Sequence, residues 1–279
     1  MRIDFRVRVP RLADEPWAAN LTRYDDLMNL AERSKAGVEQ LLAEMDSAGV
    51  DKAVLHAEFE SGEYQQYNNA VADLCRRYAD RFVGFGSVDA RDGMAAVREL
   101  DRCVQELGLR GLNLQPFVSG LHADHRLYYL LYGKCIEYGI PVGLHTGVNY
   151  SSNHPIDLGN PLRIDQVMCD LPELVVVALH TGWPWIEEVV AVARKHSRLY
   201  LEIGGVAPKY IGQPGSGWET FYRFANSVLQ DQILYGTDWP AMLMLRAVRE
   251  MDALGLKPAV REKFLWQNAA RLLGIAELG

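Results

Sequence analysis

Three short stretches of this chain end an apolar run with a group able to move a proton. They are Leu144-His145-Thr146-Gly147, Leu179-His180-Thr181-Gly182 and Tyr235-Gly236-Thr237-Asp238. Imidazole changes charge near neutral pH, and a carboxylate becomes a useful base where burial raises its pKa. One such residue alone reads as a hydrogen-bonded core group. Two His-Thr-Gly endings plus a Thr-Asp ending read as one converging site. Near the N-terminus Asp4, Arg6 and Arg8 alternate with Ile3, Phe5, Val7 and Val9. Strand periodicity of two then predicts Asp4, Arg6 and Arg8 on one face and the apolar set on the other. Guanidinium stays protonated and has no lone pair, so neither arginine can ligate a metal. Its planar fork suits a substrate carboxylate, or an internal ion pair with Asp238, Glu202 or Asp4. The two uses are compatible.

Other side chains carry weaker signals. His56 and Glu58 end a strand-like run, and either would line a pocket. Trp183 and Trp239 directly follow the His-Thr-Gly and Thr-Asp endings, and suit apolar walls for a planar substrate or packing at a rim. His122, His125 and His154 fall in loop-like stretches and read as surface residues. Cys75, Cys103, Cys135 and Cys169 lie in helical patterns without a CxxC pair, so they read as buried or half-buried free thiols without chemistry.

The elements that must position these groups alternate along the chain. Strand patterns cover 3–9, 52–59, 82–88, 111–115, 141–145, 174–180, 199–203 and 232–236. Helical patterns cover 38–48, 65–79, 94–107, 126–138, 162–169, 185–196, 218–229 and 241–254. Three helices run into Gly49, Gly108 or Gly139 just before a strand, a helix-closing signal. Eight β-then-α units without a composition break predict an α/β fold, a (β/α)8 TIM barrel, with residues 1–279 as one domain. A doubly wound open sheet is the alternative, but no GxGxxG follows the first strand. In a barrel, side chains at the C-terminal strand ends face the mouth, where catalysis occurs. The Ser-, Asn-, Pro- and Gly-rich stretches 149–161 and 204–217 fall where such a barrel puts its active-site loops.

Composition narrows the function. The chain has 279 residues, 49% hydrophobic and 23% charged, an ordinary globular balance that excludes disordered and collagen-like classes. A net charge of −7 argues against a nucleic-acid surface. No apolar run approaches the ~20 residues needed to cross a bilayer. The first residues lack a signal-peptide core, so a cytoplasmic location is expected.

These motifs together resemble the amidohydrolase-related proteins grouped with aminocarboxymuconate-semialdehyde decarboxylase and with metal-independent lactonases. The resemblance also uses Ile3-Asp4-Phe5, Arg81-Phe82-Val83-Gly84-Phe85, Gly111-Leu112-Asn113-Leu114-Gln115-Pro116 and Asn268-Ala269-Ala270-Arg271-Leu272-Leu273-Gly274. Metal-dependent members carry His-x-His on the first strand. Here those positions are Arg6 and Arg8, whose summed charge equals that of the missing divalent ion. Many relatives carry a basic residue where this chain has Asn113.

The resemblance implies a metal-independent hydrolase, lactonase-like, acting on a small carboxylated metabolite. Asp238 is then the general base. His180 and His145 polarise the carbonyl or protonate the leaving group, while Arg6, Arg8, Asn113, Trp183 and Trp239 bind substrate. An arginine paired directly with Asp238 would weaken that base. The alternatives are a metal-dependent decarboxylase or hydrolase, with an ion such as zinc on His145, His180 and Asp238, and a non-catalytic carboxylate binder. Assembly into a homo-oligomer is left open.

Overall fold

The structure, a computed structural model, describes residues 1–10, 21–58 and 64–276. Its eight strands are β1 (Ile3–Arg8), β2 (Lys52–His56), β3 (Phe82–Ser87), β4 (Leu112–Leu114), β5 (Val142–His145), β6 (Val176–Leu179), β7 (Leu199–Glu202) and β8 (Ile233–Leu234). Every neighbouring pair is parallel, in the order β1 to β8. Phe5 N–H donates to the Tyr235 carbonyl at 2.8 Å and Arg8 N–H to that of Trp239 at 3.0 Å, bringing the last strand back to the first. The eight strands thus form a nearly closed (β/α)8 barrel. The helices after the strands are α1 (Val38–Ala48), α2 (Tyr64–Arg77), α3 (Met94–Gln105), α4 (Arg126–Tyr138), α5 (Leu162–Asp170), α6 (Ile186–Lys195), α7 (Glu219–Ala225) and α8 (Met244–Asp252). None is long and apolar enough to cross a membrane.

Parallel strands covered on both faces must be apolar throughout, and Val176–Leu179 is buried at every position. Outward-facing Ala53, Leu55, Val176 and Ala178 pack against the helices, for example on Leu41 and Met45 of α1. The inward set, Phe5, Val54, Phe85, Val177, Leu179 and Leu234, fills the bottom of the lumen. Ala269, Ala270 and Leu273 of the closing helix Asn268–Leu273 plug it from below. Gly49 and Gly139, at φ 63° each, close α1 and α4 in the left-handed conformation.

Two expectations change, and the end of one strand is not reached by the described residues. The strand expected over 232–236 shortens to Ile233–Leu234, because Tyr235 N–H turns to the Phe264 carbonyl at 3.1 Å. Phe59, the expected end of β2, lies outside the described residues. Most consequential, β1 does not keep a period of two. Asp4 pairs with Ala53, but Val7, three residues on, pairs with Leu55, two residues on. This bulge puts one extra residue into β1 and re-aims the side chains beyond it. Phe5 and Arg6 both point inward, and Asp4 falls level with outward-facing Ala53.

Candidate functional site

The bulge leaves Arg6 and Arg8 facing the lumen above Phe5. Arg6 is 1% exposed and hydrogen-bonds to Glu58, to Asp238 Oδ1 at 3.3 Å through Nε, and to Asn113 Oδ1 at 3.4 Å through Nη1. Arg8 grips Asp238 with both ends of its fork, Nε to Oδ1 and Nη2 to Oδ2, each at 3.1 Å. Its Nε also lies 3.4 Å from Glu58. Tyr24 adds a third residue and a fourth donor around Asp238, donating its hydroxyl hydrogen to Oδ2 at 3.2 Å. Its ring stacks on Tyr150 at 4.7 Å. The expected ion pairing of the arginines therefore holds for Asp238 and falls otherwise to Glu58. Asp4 instead accepts from the Thr237 amide at 3.0 Å, its hydroxyl at 2.6 Å and the Arg6 amide at 3.1 Å. Glu202 caps the backbone amides of His180, at 3.2 Å, and Gly204.

Across the mouth, His145 and His180 lie with ring centroids 4.8 Å apart. Phe117 packs edge-on against His145 at 4.7 Å. His180 Nδ1 is 2.7 Å from the Gly204 carbonyl. A carbonyl only accepts, so Nδ1 carries the hydrogen and Nε2 keeps its lone pair. His145 Nδ1 is buried without a hydrogen-bond partner among the described residues. The backbone here is bent for the purpose: His180, Thr181 and Asp238 sit at φ 65°, 47° and 57°, a region costly for residues with a Cβ. Gly205, at φ 76°, lets the chain pass close, since a Cβ there would meet His180 Nδ1 at 3.2 Å.

Charge states follow from burial and neighbours. Burial alone would raise Asp238, but Arg8 foremost, with Arg6 beside it, holds the carboxyl well below the usual range. Burial lowers His180 to about 4 against the pull of Asp238. Burial and neighbouring His180 push His145 well below the ordinary value too. At neutral pH the mouth therefore holds an ionised Asp238 and two neutral imidazoles. Asp238 and His180 are both weakened as bases, but Asp238 lies lower still and has both oxygens engaged by guanidinium and phenol donors, whereas His180 keeps the Nε2 lone pair. The arginine pairing that would weaken Asp238 as a general base is therefore present.

Arg6, Arg8, His145, His180, Trp183 and Asp238 all face one cavity of about 660 Å³. Tyr24, Glu58, Phe117 and Met242 complete much of its wall. Two expected substrate contacts are displaced. Trp239 is 1% exposed and packs in the core away from the cavity. Asn113 is fully buried, donating to the Ala57 carbonyl at 2.8 Å and holding Arg6 from behind. His56 is buried with Nε2 on the Phe5 carbonyl at 2.9 Å, so Glu58 is the residue past β2 that lines the pocket. His122 faces Asp157, His125 caps α4, and His154 bonds Ser151. Tyr24 and Phe117 carry no signal in the sequence, because an isolated aromatic residue between strong periodic segments has no period to betray it.

The amidohydrolase family model matches residues 3–275. The chain belongs to that family. It is 23% identical over 245 residues to the 2-amino-3-carboxymuconate-6-semialdehyde decarboxylase of Dictyostelium discoideum, covering 76% of this chain and 66% of that one. An uncharacterized TIM-barrel protein from Bordetella bronchiseptica superposes over 98% of both chains with TM-score 0.80 and 32% identity. The fold also matches 5-carboxyvanillate decarboxylase from Novosphingobium aromaticivorans, solved with manganese and a nitrobenzoic acid (TM-score 0.74, 19% identity, 99% and 96% covered).

The donor set of this family member does not suit such an ion. Both Asp238 oxygens are taken by guanidinium and phenol donors. His145, His180 and Asp238 do not bring three donor atoms within 4.8 Å of one another. The two arginines put their positive charge where the resemblance places first-strand ligands.

Proposed function

We propose that this family member is an enzyme for small, planar carboxylated compounds in which His180, not a metal, activates water. The observation that carries the reading is the His180 tautomer. Its Nδ1 hydrogen is committed to Gly204, its ring is neutral, and Nε2 keeps a lone pair in a wall shared with two guanidinium groups. In this reading Arg8, the more exposed of the two arginines, receives the substrate carboxylate while Asp238 and Asn113 keep both forks in place. Phe117 and Trp183 flank the planar part. His180 Nε2 takes a proton from water, the oxygen adds to a lactone carbonyl, and the negative charge develops beside the guanidinium groups. The proton held on His180 Nε2 then passes to the leaving oxygen as the ring opens, restoring the neutral imidazole, while neutral His145 lines the opposite side.

Carboxyl loss is the second reading, favoured by the decarboxylases among the relatives. It requires a proton delivered to carbon, which neither neutral imidazole nor ionised Asp238 supplies readily. One experiment separates the two. Chelator-treated protein is given lactones, unsaturated dicarboxylic acids and hydroxybenzoates in oxygen-18 water, with mass analysis and CO₂ detection. Label in the product without CO₂ supports water activation. CO₂ release from a hydroxybenzoate supports the second reading, and turnover restored only by added metal overturns side-chain activation.

A further inference from the structure

On the outside of the barrel, α5 and α6 bring together three side chains that the cavity does not use. Asp165 and Cys169 stand four residues apart on α5, so they share a face. His196, one residue past the end of α6, meets them with Nε2 2.7 Å from Asp165 Oδ1. A carboxylate oxygen, a thiol sulfur and an imidazole nitrogen thus lie within 4.8 Å of one another, the one such trio among the described residues. Cys169 is exposed, against the expectation of a buried or half-buried thiol. The site lies near the starts of β6 and β7, the end of the barrel away from the cavity.

We infer that Asp165, Cys169 and His196 form a surface site for a zinc-class divalent cation, with water as the fourth ligand. Mixed oxygen, nitrogen and sulfur donors suit tetrahedral zinc, whose ligand atoms stand about 3.5 Å apart, so the trio needs only a modest rearrangement in which the Asp165–His196 contact widens from 2.7 Å. The trio is already organised around positive charge. The Lys195 ammonium lies 2.7 Å from Asp165 Oδ1 and 3.3 Å from Cys169 Sγ. That lysine is 53% exposed and free to swing into solvent when an ion displaces it. His196 is well anchored, its amide on Val192 and its carbonyl on Gln232 Nε2, each at 3.0 Å. Binding removes the thiol proton and cross-links the two helices that flank β6.

Cobalt(II) titrated into the full-length, chelator-treated protein tests the site directly, because thiolate ligation gives a sulfur-to-cobalt charge-transfer band. The expected result is one equivalent of that band, displaced by zinc, with zinc slowing alkylation of Cys169. Cys169→Ser abolishes the band and weakens zinc binding at least about tenfold. Lys195→Met, which removes the competing cation, tightens zinc binding several-fold, a gain that a merely damaged surface does not produce. Cobalt bound without the band, as it would be by the imidazoles of the cavity, overturns the inference. So does a band that survives Cys169→Ser.

Discussion

The two sides of the barrel mouth are built on opposite plans. On the β1 and β8 side, Arg6, Arg8, Glu58, Tyr24 and Asp238 saturate one another, and both Asp238 oxygens are taken. On the β5 and β6 side, two neutral imidazoles face each other, one with a buried unpartnered nitrogen. The first side fixes charge in place, because moving any member strands a buried partner. The second keeps proton-moving capacity uncommitted. Titratable residues in one cavity therefore need not share one kind of role.

The sharpest way to break this contrast is at Asp238. Asp238→Ala leaves two guanidinium groups without their shared counter-ion, and unfolding in denaturant should show a loss of about 3–5 kcal/mol. A loss below about 1 kcal/mol would mean the charged side is not a mutually dependent unit. If Asp238→Asn folds normally yet loses turnover as completely as a His180 variant, the carboxylate is the base after all. His180→Gln should lower kcat roughly a hundredfold with KM nearly unchanged, since Gln retains a polar group without the basic nitrogen. Steady-state kinetics on the substrate found by the labelling screen reads this directly.

Smaller effects sharpen the contrast. Arg8→Met should weaken carboxylate binding by about 2 kcal/mol, the worth of a charge-assisted hydrogen bond, and leave kcat comparatively intact. An unchanged dissociation constant by calorimetry would move the carboxylate elsewhere in the cavity. Tyr24→Phe deletes one donor to Asp238 and should cost about 1 kcal/mol of stability. The smallest effect on turnover is expected at Asp4, where the readout is pH. Burial raises its carboxyl to about 7, above its unfolded value, so the folded chain holds that proton more tightly. Stability from this group is then fully present below pH ~4 and is lost as pH rises towards 7. Asp4→Asn should flatten thermal unfolding midpoints across that window, and an unaltered slope would assign the pH dependence to other groups.

Most of the frame is legible in the sequence because barrel strands and helices carry strong periods. The helices Val38–Ala48 and Arg126–Tyr138 have the bounds their apolar spacing predicts. The endings at His145, His180 and Asp238 are legible as one site for the same reason. The features that escape are local. The alternation from Ile3 to Val9 looks like an unbroken strand, yet the β1 bulge turns Phe5 inward beside Arg6 and takes Asp4 out of line. Alternation reports side-chain type, not strand register, and register is set by the partner strand. Trp239 reads as a pocket wall because it comes right after Asp238, although adjacent residues at a strand end diverge. The charge state of Asp238 is equally hidden, because it depends on contacts made by residues 230 and 214 positions away.

The Arg-x-Arg pair on β1 has a consequence for supply. Where a site's positive charge belongs to a dissociable ion, the working fraction of the protein depends on how much of that ion the surroundings provide. Here the charge is tethered by covalent bonds and is present in every copy that folds. Histidines at positions 6 and 8 would remove that endowment and leave Glu58 and Asp238 repelling each other until an ion arrived. In the metal-free reading proposed above, two codons separate a site whose competence is inherited with the chain from one whose competence must be replenished.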